Sequence, residues 1–141
     1  MVLLDVNVIV SAMREDALRH AVAGAYVESL RRGPEPFGVS EMALSGALRV
    51  LTHPRVFTPP TPVANAYAFI DALRDTVNCV VVHPGPRHWA IFRGLLDETQ
   101  AIGNLISDAW FAALAIEQGC EWVTDDADFE RFLGLRWRRP G

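Results

Sequence analysis

The sequence predicts an α/β fold, a sandwich of helices around a mostly parallel β-sheet. Three observations lead there. Short, strongly apolar runs recur along the chain. Between them lie longer stretches whose apolar residues fall at helical spacing. The two kinds alternate from one end to the other, the pattern of strand–helix–strand units in a parallel sheet.

The elements can be justified in order. Val2 to Leu4 is an apolar run ending at Asp5 and reads as a strand buried on both faces. The segment VNVIVSAM continues its apolar character. The whole opening reads as buried strand rather than leader peptide, since it lacks a basic start and is interrupted by Asp5 and Asn7. Residues 17–32 carry Leu18, Val22, Ala25, Tyr26 and Leu30 at helical spacing, with Gly33 and Pro34 as stop signals. Residues 37–39 form a second strand. Ser40 is a candidate N-cap, with Glu41 in the first turn of a helix running to about Leu51.

HPRVFTPPTP is the principal loop. Residues 64–76 read as a helix, 79–82 as a strand, and 87–98 as a helix after the turn PGP. Residues 107–118 read as a helix capped by Ser107, opened by Asp108 and stopped by Gly119. Residues 121–124 and 135–137 supply the last strands.

The 141 residues suit one core, and no repeat, low-complexity tract or linker divides them. Residues 1–141 are therefore read as a single domain. No apolar run reaches the length of a membrane span. All 13 basic residues are Arg. Without Lys, Walker-type phosphate binding and Schiff-base chemistry are excluded. The net charge of −4 does not advertise nucleic-acid binding, although a carboxylate cluster that holds cations inflates formal negative charge and reverses sign locally when loaded. Cys79 and Cys120 lie far apart without a CxxC partner and read as small core residues.

The acidic residues are placed informatively. Ligands bind open parallel sheets at the carboxyl ends of the strands. Asp5 ends the first strand, Glu41 follows the second, and Asp125, Asp126 and Asp128 follow the fourth. Asp108 opens a helix, with Asn104 four residues before it. Taken singly, Glu41 and Asp108 are ordinary first-turn helix acids, and the acids at 125–128 suit a solvated turn. Asp5, between apolar runs, needs a partner or a metal. Oxygen ligands without His or Cys suit Mg²⁺ or Mn²⁺. His20, His53, His83 and His88 form no zinc pattern; His83 and His88, beside prolines and a glycine, read as loop or surface residues. Basic residues available to a phosphate-bearing ligand are Arg14, Arg49, Arg55, Arg87 and Arg93, with Trp89 or Phe57 available for stacking. Trp89 and Trp110 read more readily as core, and the basic tail at 136–139 as a solvated terminus.

LLDVNV, SEMALSGALRVLTHPRVF, GNLISDAWFAALAIEQG and WVTDDADFERFLGLRW, in this order over nearly the whole chain, together resemble the PIN domain family. More narrowly the chain is similar to VapC-type ribonuclease toxins of bacterial toxin–antitoxin pairs. GPRHW and LRWRRP are similar to the mycobacterial-type branch. The resemblance implies a three-layer α/β/α sandwich. It implies a Mg²⁺ or Mn²⁺ site whose ligands, and catalytic residues, are Asp5, Glu41, Asp108 and Asp126. The family's T-x-D-x-D-F pattern falls on Thr124, Asp126, Asp128 and Phe129, which favours Asp126 over Asp125 and leaves both open. Thr124 would hold a metal-bound water, Asn104 would order the site, and Asp128 would support it.

The implied reaction is hydrolysis of RNA phosphodiesters to 5′-phosphate and 3′-hydroxyl ends in the cytoplasm. The implied partners are an RNA substrate, a VapB-like antitoxin covering the site and a second copy of the chain, for which the helix at 63–73 is one candidate interface. Two other readings compete. An aspartyl-phosphate phosphohydrolase wants a second Asp and a Lys where this chain has Asn7 and none. A non-catalytic PIN-like RNA- or protein-binding module would have no need of a full acidic set.

Overall fold

The computed structural model describes all 141 residues. Its five strands are β1 (Val2–Leu4), β2 (Phe37–Val39), β3 (Cys79–Val81), β4 (Glu121–Val123) and β5 (Trp137–Arg138). They form one sheet in the order β3-β2-β1-β4-β5, and every pairing is parallel. Val2 pairs with Phe37 on one side and Glu121 on the other. β1 is thus central and its Leu3 and Leu4 are fully buried. In β2 the middle residue is Gly38. A Cβ there would stand 2.9 Å from Val82 and 3.2 Å from Leu3, so the absent side chain is what admits the layer packed on the sheet. The edges are short or half-exposed, as edge strands commonly are.

Six helices complete the sandwich: α1 (Val6–Met13), α2 (His20–Arg32), α3 (Glu41–Leu51), α4 (Val63–Arg74), α5 (His88–Thr99) and α6 (Asn104–Gln118). α1 packs on α2 and α3, α3 on α4, and α5 on α6. The chain winds from β1 outward through β2 to β3, then returns across the sheet to place β4 on the other side of β1. Right-handed crossovers in these two directions put α1–α4 and α5–α6 on opposite faces. The reversal of direction falls between β1 and β4, the switch point at which such sheets bind ligands.

The alternation of strand and helix is as the sequence predicts, with one element changed outright. Residues 6–13 are a helix, not a continuation of strand. Asp5 caps it with extended backbone (φ −79°, ψ 159°), its carboxylate accepting the Val6 N–H. The reason for the misreading is physical. Val and Ile are stiff at χ1 and favour strands intrinsically. Val8, Ile9 and Val10 are all buried because α1 lies between α2 and α3. Tertiary packing of this face overrides the strand propensity of its residues, and Asn7 and Ser11 are too few to mark a polar face in an apolar run.

Smaller differences lie at the ends. α2 begins at His20, three residues after the predicted start. α6 begins at Asn104, a turn earlier, entered through Gly103 at φ 58°. The residues after Asp126 form a 3₁₀ helix at Ala127–Arg131. Of the cysteines, Cys120 is buried and Cys79 is half-buried against the core. Burial pushes the Cys79 thiol up to about 11, so it stays protonated at neutral pH.

Ile9 is fully buried at the centre of α1. Ile9→Ala is expected to lower folding stability by about 2–5 kcal/mol, read as a lower urea midpoint at unchanged slope. A loss below about 0.5 kcal/mol, the range of surface substitutions, would contradict a packed α1.

Candidate active site

The site begins with the turn from β1 into α1. Asp5 must leave the sheet and start a helix within one residue, and its side chain makes this possible. One carboxylate oxygen accepts the Val6 N–H at 2.6 Å. The other, Oδ2, accepts the Thr124 hydroxyl at 2.6 Å and the Asn7 amide at 3.0 Å. The Asp5 backbone N–H donates to Val123 at 3.0 Å. The ends of β1 and β4 are therefore tied together at the carboxylate itself.

The network continues along the chain that follows β4. The Asn7 side chain donates to Thr124 Oγ1 at 3.0 Å and accepts the Asp125 N–H at 3.1 Å. Thr124 Oγ1 also accepts the Asp126 N–H at 3.0 Å. Asp126 in turn caps the 3₁₀ helix, accepting the Asp128 N–H at 2.9 Å. The Asp5 and Asp126 carboxylates each accept a backbone N–H, and Asp5 two side-chain donors besides, so their directions are set by the fold rather than by a counter-charge.

Asp5, Asp108, Asp126 and Asp128 line one open cleft of about 740 Å³. Asn104 lines it too. On α6 it stands one turn before Asp108, so the two share a helix face. The longer α6 changes the reading of Asp108: it sits in the second turn, too deep to be a simple dipole-compensating first-turn acid. α1 contributes Val6, Asn7, Val10 and Ser11, and α3 contributes Arg49 and Val50.

The structure places Asp126, Asp125 and Glu41 differently. Asp126 faces the cleft, whereas Asp125 pairs with Arg19 at 3.2 Å and is not part of the lining. Glu41 is not brought to the cleft. It stands at the first residue of α3 and pairs with Arg74 of α4 at 3.3 Å in a largely exposed contact. Asp5, Asp108 and Asp126 converge, and Glu41 does not join them.

Burial, reinforced by Asp108 and Asp126, pushes the Asp5 carboxyl from 3.8 up to about 6, against the opposing hydrogen bonds from Thr124 and Val6. Burial, then Asp126 and Asp128, pushes Asp108 to about 6 as well. None of Asp5, Asp108 and Asp126 takes part in an ion pair. Such a group of mutually repelling carboxylates calls for a cation, and an all-oxygen donor set fits a hard one. No three His, Cys, Asp or Glu side chains stand close enough to form a closed cage. The fit is to an ion such as Mg²⁺, which keeps several waters and is commonly held by one or two carboxylates together with substrate phosphate.

Other residues fall differently from their sequence reading. Thr124 is fully buried and donates its hydroxyl to Asp5. His83 is exposed, as expected, but His88 is buried on α5, with Nε2 3.0 Å from the Trp110 carbonyl oxygen and its ring edge-on to the Trp110 indole. Trp89, beside it, is 65% exposed rather than core, because α5 turns its neighbour and not itself toward α6. Asn7 was missed as an organising residue. Its signal was a polar amide two residues after Asp5 inside an apolar run.

Asp5 and Asp108 hold protons more tightly in the folded chain than in the unfolded one. The stability this contributes is full below about pH 4 and is lost as pH rises through about 6. In EDTA, Asp108→Asn is therefore expected to gain stability relative to the parent as pH rises through this window, measured by paired urea melts. A gap that narrows with rising pH would contradict the raised carboxyls.

A family model described as the PIN domain matches residues 2–134. Ribonuclease VapC43 of Mycobacterium tuberculosis is 42% identical over 140 residues, covering 99% of this chain and 95% of that protein. Ribonuclease VapC25 of the same organism is 39% identical, covering 99% of each. Among solved structures, VapBC2 from Rickettsia felis bound to a DNA fragment from its promoter aligns with a TM-score of 0.72 over 99% of this chain and 98% of that one, at 17% identity, a likeness of fold. The family match takes in β1, α6 and the turn after β4, the elements that bring Asp5, Asp108 and Asp126 together, and on that ground, with relatives alike along their whole length, the chain belongs to the PIN domain family, among its VapC-type ribonucleases.

Proposed function

We propose that the chain is a divalent-metal-dependent endoribonuclease and the toxin of a toxin–antitoxin pair. The observation that carries this is the convergence of Asp5, Asp108 and Asp126, unpaired with any basic side chain, on one cleft at the sheet's switch point. The full-length likeness to proteins named VapC ribonucleases supplies the substrate class.

Asp5, Asp108 and Asp126 would serve Mg²⁺ or Mn²⁺, one or two of them as direct ligands beside water and substrate phosphate, with Asn104 and Asp128 next to them. When bound, the ion supplies Lewis acidity toward the phosphodiester and the attacking water. The chain's own residues set the geometry. Thr124 and Asn7 fix Asp5 Oδ2, and the Thr124 hydroxyl positions Asp126 through its backbone N–H. Ser11 and Ser107 line the cleft, and neither side chain hydrogen-bonds to a histidine or carboxylate that would activate it as a nucleophile. Attack by water then needs no covalent intermediate, and leaves a 5′-phosphate and a 3′-hydroxyl. A VapB-like antitoxin, whose segment would cover this cleft, and a second copy of the chain are the proposed protein partners. No helix is long and apolar enough to cross a membrane, and the proposed place of action is the cytoplasm, where the RNA is.

Purified, antitoxin-free protein is expected to cut bacterial RNA into discrete fragments with Mg²⁺ or Mn²⁺, and to stop in EDTA. Asp5→Asn and Asp108→Asn are expected to lose at least about 100-fold in rate with circular dichroism unchanged. Glu41→Gln, outside the cleft, is expected to stay within about tenfold of the parent, the range of a side chain that acts only through others. A loss as deep as that of Asp5→Asn would return Glu41 to the ligand set. Intact RNA from folded protein under every metal would instead favour a binding module.

A further inference from the structure

Part of the cleft's lining is not explained by metal chemistry. It is made of Ala17, Val50, Val56 and Phe57, with Arg49 among them. Arg49 is the one basic residue in the lining, and it takes part in none of the molecule's ion pairs. A cation left unpaired in a cleft with four Asp residues is available to an anion that enters from outside.

Phe57 is held unusually firmly for an aromatic on a proline-rich loop. The Arg14 guanidinium lies 4.2 Å from the ring centroid. Arg14 is itself pinned, by two bonds to Asp16 at 2.8 and 2.7 Å, by the Pro59 carbonyl oxygen at 3.0 Å and by Thr61 at 3.2 Å. One side of the ring is thus covered by a cation tethered at four points, while the ring still lines the cleft. A group fixed in advance binds without the cost of being ordered.

We propose that Phe57 and Arg49 form the subsite for one unstacked nucleotide of single-stranded RNA, the ring stacking on its base and the guanidinium taking a phosphate next to the cleaved bond. The inference rests on the ribonuclease reading and deepens it. The chemistry fits both parts of the lining. Nucleic acid offers phosphate to the carboxylate-held ion, and a flat apolar face to the ring. Bases paired within an A-form helix are stacked and closed to such a ring. Arg14 is then a positioning residue. It touches the ring and not the substrate, and acts by holding Phe57 in place.

The test uses the full chain carrying Asp108→Asn, so that RNA is bound and not cut, with a fluorescent single-stranded oligoribonucleotide and its blunt duplex as probes. Phe57→Leu keeps apolar volume against the core and removes the stacking face. It is expected to weaken single-strand binding about tenfold, while Phe57→Tyr restores it and neither variant shifts the urea midpoint comparably. Arg49→Gln is expected to reduce the slope of log Kd against log salt by about 0.7, one phosphate contact on a single strand. Arg14→Gln should weaken binding while leaving that slope unchanged. Equal Kd and slope for the parent, Phe57→Leu and Arg49→Gln would overturn the proposal, as would duplex bound as tightly as single strand. Cleavage by the chain with Asp108 intact, assayed alongside, shows whether the ribonuclease reading stands when the subsite does not.

Discussion

Everything around the cleft depends on how β1 ends. Asp5 directly follows the central strand, its N–H is still bonded to the Val123 carbonyl oxygen, and its carboxylate is nearly buried. A lone carboxylate in such a place is costly. It is tolerated here because three donors from two chain segments, Val6, Asn7 and Thr124, converge on it. Those bonds also fasten β4 to β1 and orient the turn that carries Asp126. The residue that starts α1 is thus the one that sets the position of the second carboxylate.

The same arrangement leaves an electrostatic debt in the fold. Hydrogen bonds favour the charged form of Asp5, yet burial and the neighbouring Asp108 and Asp126 outweigh them. A site assembled for function commonly sacrifices stability in this way. Several basic side chains are paired elsewhere, Arg19 with Asp125, Arg74 with Glu41 and Arg14 with Asp16, and Arg49, the one basic residue in the cleft lining, forms no ion pair with Asp5, Asp108 or Asp126.

The parallel α/β architecture and the strand-end positions of Asp5 and Asp126 were legible because period and strand-end position are local properties of the sequence, whereas Asp108, on a helix, was singled out by the family resemblance. What was not legible arose from tertiary contact. Val8, Ile9 and Val10 carry strand propensity and are helical only because α2 and α3 enclose them. His88 looked like a loop residue because prolines precede it, but α6 lies over it. Glu41 looked equivalent to the other acids, since spacing cannot say that Arg74 reaches it from a separate helix. The choice between Asp125 and Asp126 likewise turned on Arg19, more than a hundred residues away in sequence.

An aromatic stack runs beneath the acidic edge, from Trp110 through Phe111, Trp122 and Phe129 to Phe132, with neighbouring ring centroids 5.3–5.8 Å apart. Trp122 is fully buried in β4, two residues before Thr124, and its indole N–H has no partner. Trp89 is well exposed on α5. The two indoles therefore lie in opposite surroundings, one dry and rigid, the other wet. Trp110 and Trp137 are half-buried between these extremes, so a chain keeping Trp122 as its single Trp would carry an optical reporter on the strand that leads into its own carboxylate turn.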